Sequence, residues 1–228
     1  MGFVVKEAFE EFRQARIKVV GVGGGGCNAV NRLVELGLNG VEIIGINSDH
    51  QALEDCSAPI KVQLGDGLGA GSDPDRGREL ALESKDRIKE VLSGADMVFV
   101  AASMGGGTGT GGAPVVAQIA KEQGAIVIGV VTKPSAFEGT YKIAMAERGI
   151  EQLAKEVNSL ILISNQKLLN IVEEDTLLEE ALQMTSDILV TAVRSVLEPL
   201  LVPGMVNVDF ADLQTVMSHR GLAIMGIG

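Results

Sequence analysis

The chain has 228 residues, 46% hydrophobic and 21% charged, which is the make-up of a globular protein with a sizeable core and excludes a disordered one. Its net charge of −11 argues against nucleic acid or an anionic membrane surface as partner, so a phosphate ligand has to be held by backbone dipoles and a metal ion rather than by a lysine cluster. No apolar run reaches the ~18–20 residues of a membrane span, Lys6 to Arg16 is too charged for a signal peptide, and Cys27 and Cys56 with only two histidines fit a reduced, cytoplasmic compartment without a His/Cys metal site.

Residues 1–16 read as an amphipathic helical extension. Ile17–Val22 reads as a strand, followed by a glycine loop and a helix over Asn28–Leu36. Val41–Ile46 and Ile60–Leu64 are the next strands, and Asp73-Pro74 opens a helix over Asp75–Leu92. Met97–Ala102 is a strand, and Ala113–Gln123 a helix with Pro114 in its first turn. Ala125–Val131 and Leu160–Ser164 are strands that flank a helix over Glu138–Val157. Leu178, Leu182, Thr185, Leu189, Ala192 and Val196 recur at three- and four-residue steps, predicting a long core helix over 177–198, capped by Asp175-Thr176 and closed by Pro199. Continuous Val/Ile runs alternating with helices predict an α/β fold, a parallel Rossmann-like sheet flanked by helices. Leu222–Gly228 is an apolar run that reads as the first strand of a further domain.

Two glycine loops carry the chemistry. Residues 105–112 read Gly-Gly-Gly-Thr-Gly-Thr-Gly-Gly, between a buried-looking strand and a helix. Glycine lets successive N–H groups approach phosphate oxygens, and a helix N-terminus adds partial positive charge. Gly21-Val22-Gly23-Gly24-Gly25-Gly26-Cys27-Asn28 satisfies G-x-G-x-x-G, with Asp49 beyond the second strand. That loop alone favours a dinucleotide such as NAD. The second loop has no place in that scheme, and two phosphate loops suit a nucleoside triphosphate better. The chain has no Gly-Lys pair, hence no P-loop of the Walker type.

Gly105–Gly111 resembles the signature loop of the tubulin/FtsZ family of GTPases, and the chain from Ile17 to Gly228 is similar to its FtsZ branch. Asn47-Ser48-Asp49, Gly69-Ala70-Gly71, Phe137-Glu138-Gly139, Asn165 and Asn207-Val208-Asp209-Phe210-Ala211-Asp212 follow in the family's order. The resemblance implies a filament-forming cell-division GTPase that binds GTP/GDP with Mg²⁺ and acts in the cytoplasm at the division site. It assigns phosphate contacts to Gly105, Gly106, Gly107, Thr108, Gly109 and Thr110, to Gly69, Ala70 and Gly71, and to Gly24, Gly25, Gly26 and Cys27 with Asn28. Glu138 and Lys142 are implied at ribose and phosphates, and Asn165 and Asp187 at the base. A carboxylate at Asp187 can accept from guanine N1–H and N2–H₂, donors that adenine lacks.

The resemblance also makes Asp209 and Asp212, with Asn207, the catalytic group. They lie at a helix start, one long helix away from the base site, so they serve the nucleotide of the next subunit in a head-to-tail filament. On this reading 17–202 is the GTP-binding domain and 203–228 the catalytic loop, a helix and the first strand of a missing C-terminal domain. Division-site tethers and regulators are implied on a C-terminal tail that is also missing, so the chain is expected to bind nucleotide but to polymerise and hydrolyse poorly. It departs from the family in a shorter Gly65–Asp73 loop, in Lys142 for the usual arginine, and in Leu182 for a base-stacking aromatic. The alternatives from other classes are an NAD-dependent oxidoreductase and a nucleotide-regulated scaffold without hydrolysis.

Overall fold

The computed structural model describes residues 15–38, 40–169, 178–201, 215 and 221–223. Seven strands, β1 (Ile17–Val22), β2 (Val41–Asn47), β3 (Ile60–Gln63), β4 (Met97–Ser103), β5 (Ile126–Lys133), β6 (Ser159–Ser164) and β7 (Gly221–Ala223), form one sheet in the order β3-β2-β1-β4-β5-β6-β7. Every neighbouring pair is parallel. Strand residues alternate between two cores, as the period of two requires. Val20, Val22, Val98 and Val100 pack with Leu80, Ile88 and Val116 on one face, where α3 (Pro74–Glu83), α4 (Lys85–Leu92) and α5 (Gly107–Glu122) lie. Ile17, Val19, Met97 and Phe99 pack with Val30, Leu33, Leu189 and Val193 on the other, where α1 (Gly23–Glu35) and α8 (Leu178–Leu201) lie. With both faces covered, the continuous Val/Ile runs of these strands are explained.

The sequence expectations hold for β1 to β6 within one or two residues; the helices differ more. Both α1 and α5 begin inside the glycine runs, at Gly23 and Gly107, instead of at Asn28 and Ala113. Pro114 therefore stands inside α5 rather than in its first turn. The expected helix over 75–92 is two helices that meet at Ser84, whose Oγ accepts from the Gly65 N–H at 3.3 Å. A left-handed Gly139 (φ +100) separates a 3₁₀ turn at Ala136–Glu138 from α6 (Thr140–Glu156). The single-turn helices α2 (His50–Glu54) and α7 (Asn165–Leu169) are too short for periodicity to reveal.

Pro199 does not close α8, which runs on to Leu201. Gly221–Ala223 pairs in parallel with Ser159–Ile161 of β6, and the rest of the apolar run Leu222–Gly228 lies outside the described residues. Asp175-Thr176, the 202–214 segment and residues 1–14 lie outside the described residues, so the expected cap and extension do too.

Strand order fixes where a ligand can bind. From β1 the chain builds outward through β2 and β3; from β4 it builds the opposite way through β5 and β6. The crevice between β1 and β4 is the switch point, and ligands of such sheets sit there, beyond the carboxyl ends of the strands. Val22 and Ala102 are paired in register, and the two glycine runs follow them.

Candidate functional site: a cradle between two helix starts

A cavity of about 530 Å³ opens at this switch point. Gly24 and Gly25 of α1, Ser103–Gly109 of the second loop and Leu68–Ser72 line it, with Ser48, Asp49, Glu138 and Lys142. The two loops touch: a Cβ on Gly23 (φ +72) would lie 2.7 Å from the Gly109 nitrogen. Gly24 and Gly106, by contrast, face open space on the cavity side.

The helix starts there differ from those of α2 and α3. Asp49 caps α2 by accepting from the Ala52 N–H at 3.1 Å, and Asp73 caps α3 by accepting from the Asp75 N–H at 2.9 Å. Neither α1 nor α5 has a side-chain cap or an acidic residue in its first turn. Two partially positive N-termini thus converge on one cavity with donors uncommitted to side chains. An anion with several oxygens is what such an arrangement holds.

Hydroxyls tie the walls together. Ser48 Oγ and Thr108 Oγ1 are 2.6 Å apart, joining the loop after β2 to the first turn of α5. Gly69 N–H donates to the Ser48 carbonyl at 2.8 Å, and His50 N–H to the Gly67 carbonyl at 2.9 Å, so the Gly65–Asp73 loop is fastened to the same wall. Ser72 in that loop is left-handed (φ 60), a conformation that costs a non-glycine residue on the order of 1 kcal/mol.

Glu138 forms the far wall. Its Oε1 accepts from the Ser135 N–H (3.0 Å), the Ser135 hydroxyl (3.2 Å) and Asn165 Nδ2 (3.3 Å), and its Oε2 lies 3.6 Å from Lys142 Nζ. Burial pushes the carboxyl up, but these donors and the Lys142 charge outweigh it and hold it below its ordinary value. Because Glu138 only accepts, it fixes the Asn165 amide with Oδ1 turned away, and that buried oxygen has no partner among the described residues. Among the described residues Lys142 is the one basic side chain in the lining, so backbone and hydroxyl groups carry most of the anion recognition there.

A second cavity of about 360 Å³ lies one turn further along α1, between α1 and α8. Asn28, Asn31 and Arg32 face Gln183, Ser186 and Asp187 there. Arg32 Nε donates to Asp187 Oδ1 at 3.0 Å and Arg32 Nη1 to Glu35 Oε2 at 2.8 Å.

Most residues expected to bind nucleotide line these two cavities, but four of the described ones do not. Cys27 is 2% exposed and packs in the core that α1 and α8 cover rather than lining the cradle. Gly26 serves contact between α1 and the sheet: a Cβ there would lie 2.5 Å from the Ala101 carbonyl. Thr110 is buried and accepts from the Gly105 N–H at 2.8 Å, which shapes the loop from behind. Asn165 reaches the site through Glu138 rather than lining it. Asn207, Asp209 and Asp212 lie outside the described residues.

Leu68, Ser72, Ser103 and Met104 line the cavity without having been singled out. Ser48 and Asp49 line it too, although their motif carried the signal.

Fold and site together define a nucleotide-binding domain of the tubulin type, and the family model for the GTPase domain of the Tubulin/FtsZ family matches residues 16–173. The chain belongs to that family. It is 51% identical over 218 residues to the cell division protein FtsZ of Pseudomonas aeruginosa, covering 94% of this chain and 55% of that protein. The empty FtsZ dimer of M. jannaschii superposes with a TM-score of 0.88 at 41% identity, covering 92% of this chain and 62% of that one. A GTPγS-bound protofilament of CetZ2 from Haloferax volcanii superposes with a TM-score of 0.76, over 91% of this chain and 64% of that one; at 23% identity that likeness shows the fold alone. The chain thus spans little more than half the length of the P. aeruginosa relative.

Proposed function

We propose that this chain binds GTP and GDP in the cradle between α1 and α5 and belongs to a cytoplasmic cell-division GTPase that assembles head to tail at the division site. The observation that carries the reading is the pair of uncapped glycine helix starts facing one cavity at the switch point. Gly106, Gly107, Thr108 and Gly109 hold the β- and γ-phosphates, Gly24 and Gly25 the opposite side, and Gly69–Gly71 close over them. Glu138 and Lys142 meet the ribose, and Asn28 with Asp187 the base. Mg²⁺ enters with the nucleotide, and GTP supplies the phosphoanhydride that is cleaved.

Cleavage is completed by Asp209 and Asp212, with Asn207, from the next subunit. From Asp187 the last fourteen residues of α8 lead about 21 Å, at ~1.5 Å each, to Leu201, ahead of that segment in the chain. A loop displaced that far serves a neighbour's pocket, and a contact of this kind generates filaments. The dimeric state of the M. jannaschii relative accords with such assembly. The dinucleotide reading leaves the α5 start without a ligand.

Displacement of a fluorescent guanine nucleotide by GTP, ATP and NAD, with Mg²⁺ present, tests the binding. GTP alone should compete. Competition by NAD but not GTP overturns the reading.

A further inference from the structure

On the face of the sheet that α3, α5 and α6 cover, a groove runs along α5 between its two neighbours. A cavity of about 340 Å³ forms one end and a smaller cavity the other, and Arg78 of α3 and Gln152 of α6 line both. Each neighbour packs on α5 through a glycine. A Cβ on Gly111 would lie 1.9 Å from the Pro74 carbonyl of α3, and one on Gly149 of α6 would lie 2.3 Å from Thr110 Cγ2. The floor is one face of α5, because Thr110, Pro114 and Gln118 recur at four-residue steps. Pro114 brings a ring and no N–H to that floor, which makes it partly apolar.

The walls carry cations that the fold leaves uncommitted. Elsewhere on the same two helices, Arg76 pairs with Glu79 at 3.2 Å and Lys142 with Glu138 at 3.6 Å. Among the described residues, the guanidiniums of Arg78 and Arg148, one on each wall, have neither a salt bridge nor a hydrogen bond. The Gln152 amide, one turn beyond Arg148, is also without a partner there, with two donors and an acceptor to offer. Lys155 adds a third positive charge. The two carboxylates in the lining are already answered. Glu156 lies 3.6 Å from Lys121 Nζ, and Asp75 sits in the first turn of α3, where the helix N-terminus favours it. In a chain of net charge −11, the groove is a local positive site.

We propose that this groove docks a short, extended acidic peptide of a partner protein, with carboxylates on Arg78 and Arg148, backbone on Gln152 and an apolar side chain over Pro114. A guanidinium holds a carboxylate through two parallel hydrogen bonds. A small anion would leave the amide and the floor unused. A polyanion such as nucleic acid would be repelled by Asp75 and by a surface of net charge −11.

Docking bears on the cradle, because the groove lies behind the start of α5. Thr110 Oγ1 accepts from the Gly105 N–H at 2.8 Å, and a Cβ on Gly107 would lie 2.9 Å from the Asp73 nitrogen at the start of α3. A peptide that bridges α3 and α6 braces the second glycine loop and should slow nucleotide release several-fold. That consequence rests on the nucleotide reading above; the docking itself does not.

The test is fluorescence anisotropy of the native chain with a set of short labelled peptides that carry two glutamates at every spacing among alanine and valine. At least one should bind about tenfold more tightly than its glutamine counterpart, and lose about tenfold in Arg78→Ala and in Arg148→Ala, with thermal unfolding unchanged. Arg76→Ala removes the same charge from a paired site on α3 and should bind the peptide like the parent. No preference for glutamate over glutamine, or equal losses in all three variants, overturns the proposal. Glutarate or inorganic phosphate binding as tightly as the peptide, and displacing it, overturns the peptide in favour of a small anion. A bound peptide with unchanged release of a fluorescent GDP overturns the coupling to the cradle. The anisotropy decides the docking even if no guanine nucleotide binds.

Discussion

The two glycine runs look alike in sequence but spend their glycines differently. After β1, Gly21 and Gly26 clear contacts between helix and strand: a Cβ on Gly21 would meet the Gly26 carbonyl at 2.3 Å. Gly24 alone in that run faces open space. After β4, Gly107, Gly109 and Gly111 clear contacts with neighbouring backbone, and Gly106 alone is open. Gly111 is the extreme, with a Cβ position 1.9 Å from the Pro74 carbonyl of α3 and 2.6 Å from the Arg78 nitrogen. Each run therefore has one glycine whose Cβ position is open toward the cavity, and most of the others let the helices start in close contact. Glycine richness here serves packing more than phosphate contact.

That division predicts opposite phenotypes from the same substitution. Gly111→Ala forces two helices apart and should destabilise the fold by about 3 kcal/mol or more, read by thermal or denaturant unfolding. Gly106→Ala and Gly24→Ala should leave unfolding within about 1 kcal/mol of the parent. Yet each should weaken GTP binding about tenfold, or about 1.4 kcal/mol, because the methyl enters the cavity. Normal GTP affinity in Gly106→Ala, or a fully stable Gly111→Ala, breaks the comparison.

This difference could not be read from the sequence, and the reason is physical. Glycine is the poorest helix former after proline, so both runs read as loops and the helices were expected only at Asn28 and Ala113. Here the need for close approach, at Gly23 against Gly109 and at Gly111 against Pro74, overrides propensity. The strands were legible because burial on both faces leaves an unbroken Val/Ile record. Glu138 and Asp187 were reachable through family motifs. The inward turn of Cys27 and the buried role of Thr110 were not, since they depend on helix phase, which the late helix starts obscured. Ser72 and Ser103 carry no compositional mark; only the backbone geometry brings them into the wall.

The β1 and β4 sides also each have a carboxylate, and the comparison sharpens there. Opposite the second run, Glu138 is held by three donors and by Lys142. Its folded pKa is depressed, so the stability it contributes is full above the ordinary carboxylate range and is lost as pH falls through the lowered folded value. Glu138→Gln should flatten that acid limb of the stability–pH curve and cost about 1 kcal/mol at neutral pH. An acid limb of unchanged slope in the variant excludes Glu138 as its source.

Beyond the first run, further along α1, the Asp187 carboxylate pairs with Arg32, and both side chains are 44% exposed. So exposed a pair does little for the fold, and its interest lies in competition. The Arg32 guanidinium occupies Asp187 Oδ1, an oxygen that the proposed guanine contact also needs. Binding must then break one charge-assisted hydrogen bond to make another, and Arg32 still has Glu35 to receive it. Arg32→Ala removes the competitor while leaving the carboxylate in place. It should tighten GDP binding about two- to threefold, a gain of about 0.5 kcal/mol, with unfolding unchanged. Asp187→Ala should abolish that gain in the double variant, which isolates the pair as a cycle. If Arg32→Ala weakens GDP binding instead, Arg32 positions the carboxylate rather than competing for it. The β1 side would then be prepared for its ligand as firmly as Glu138 is on the β4 side.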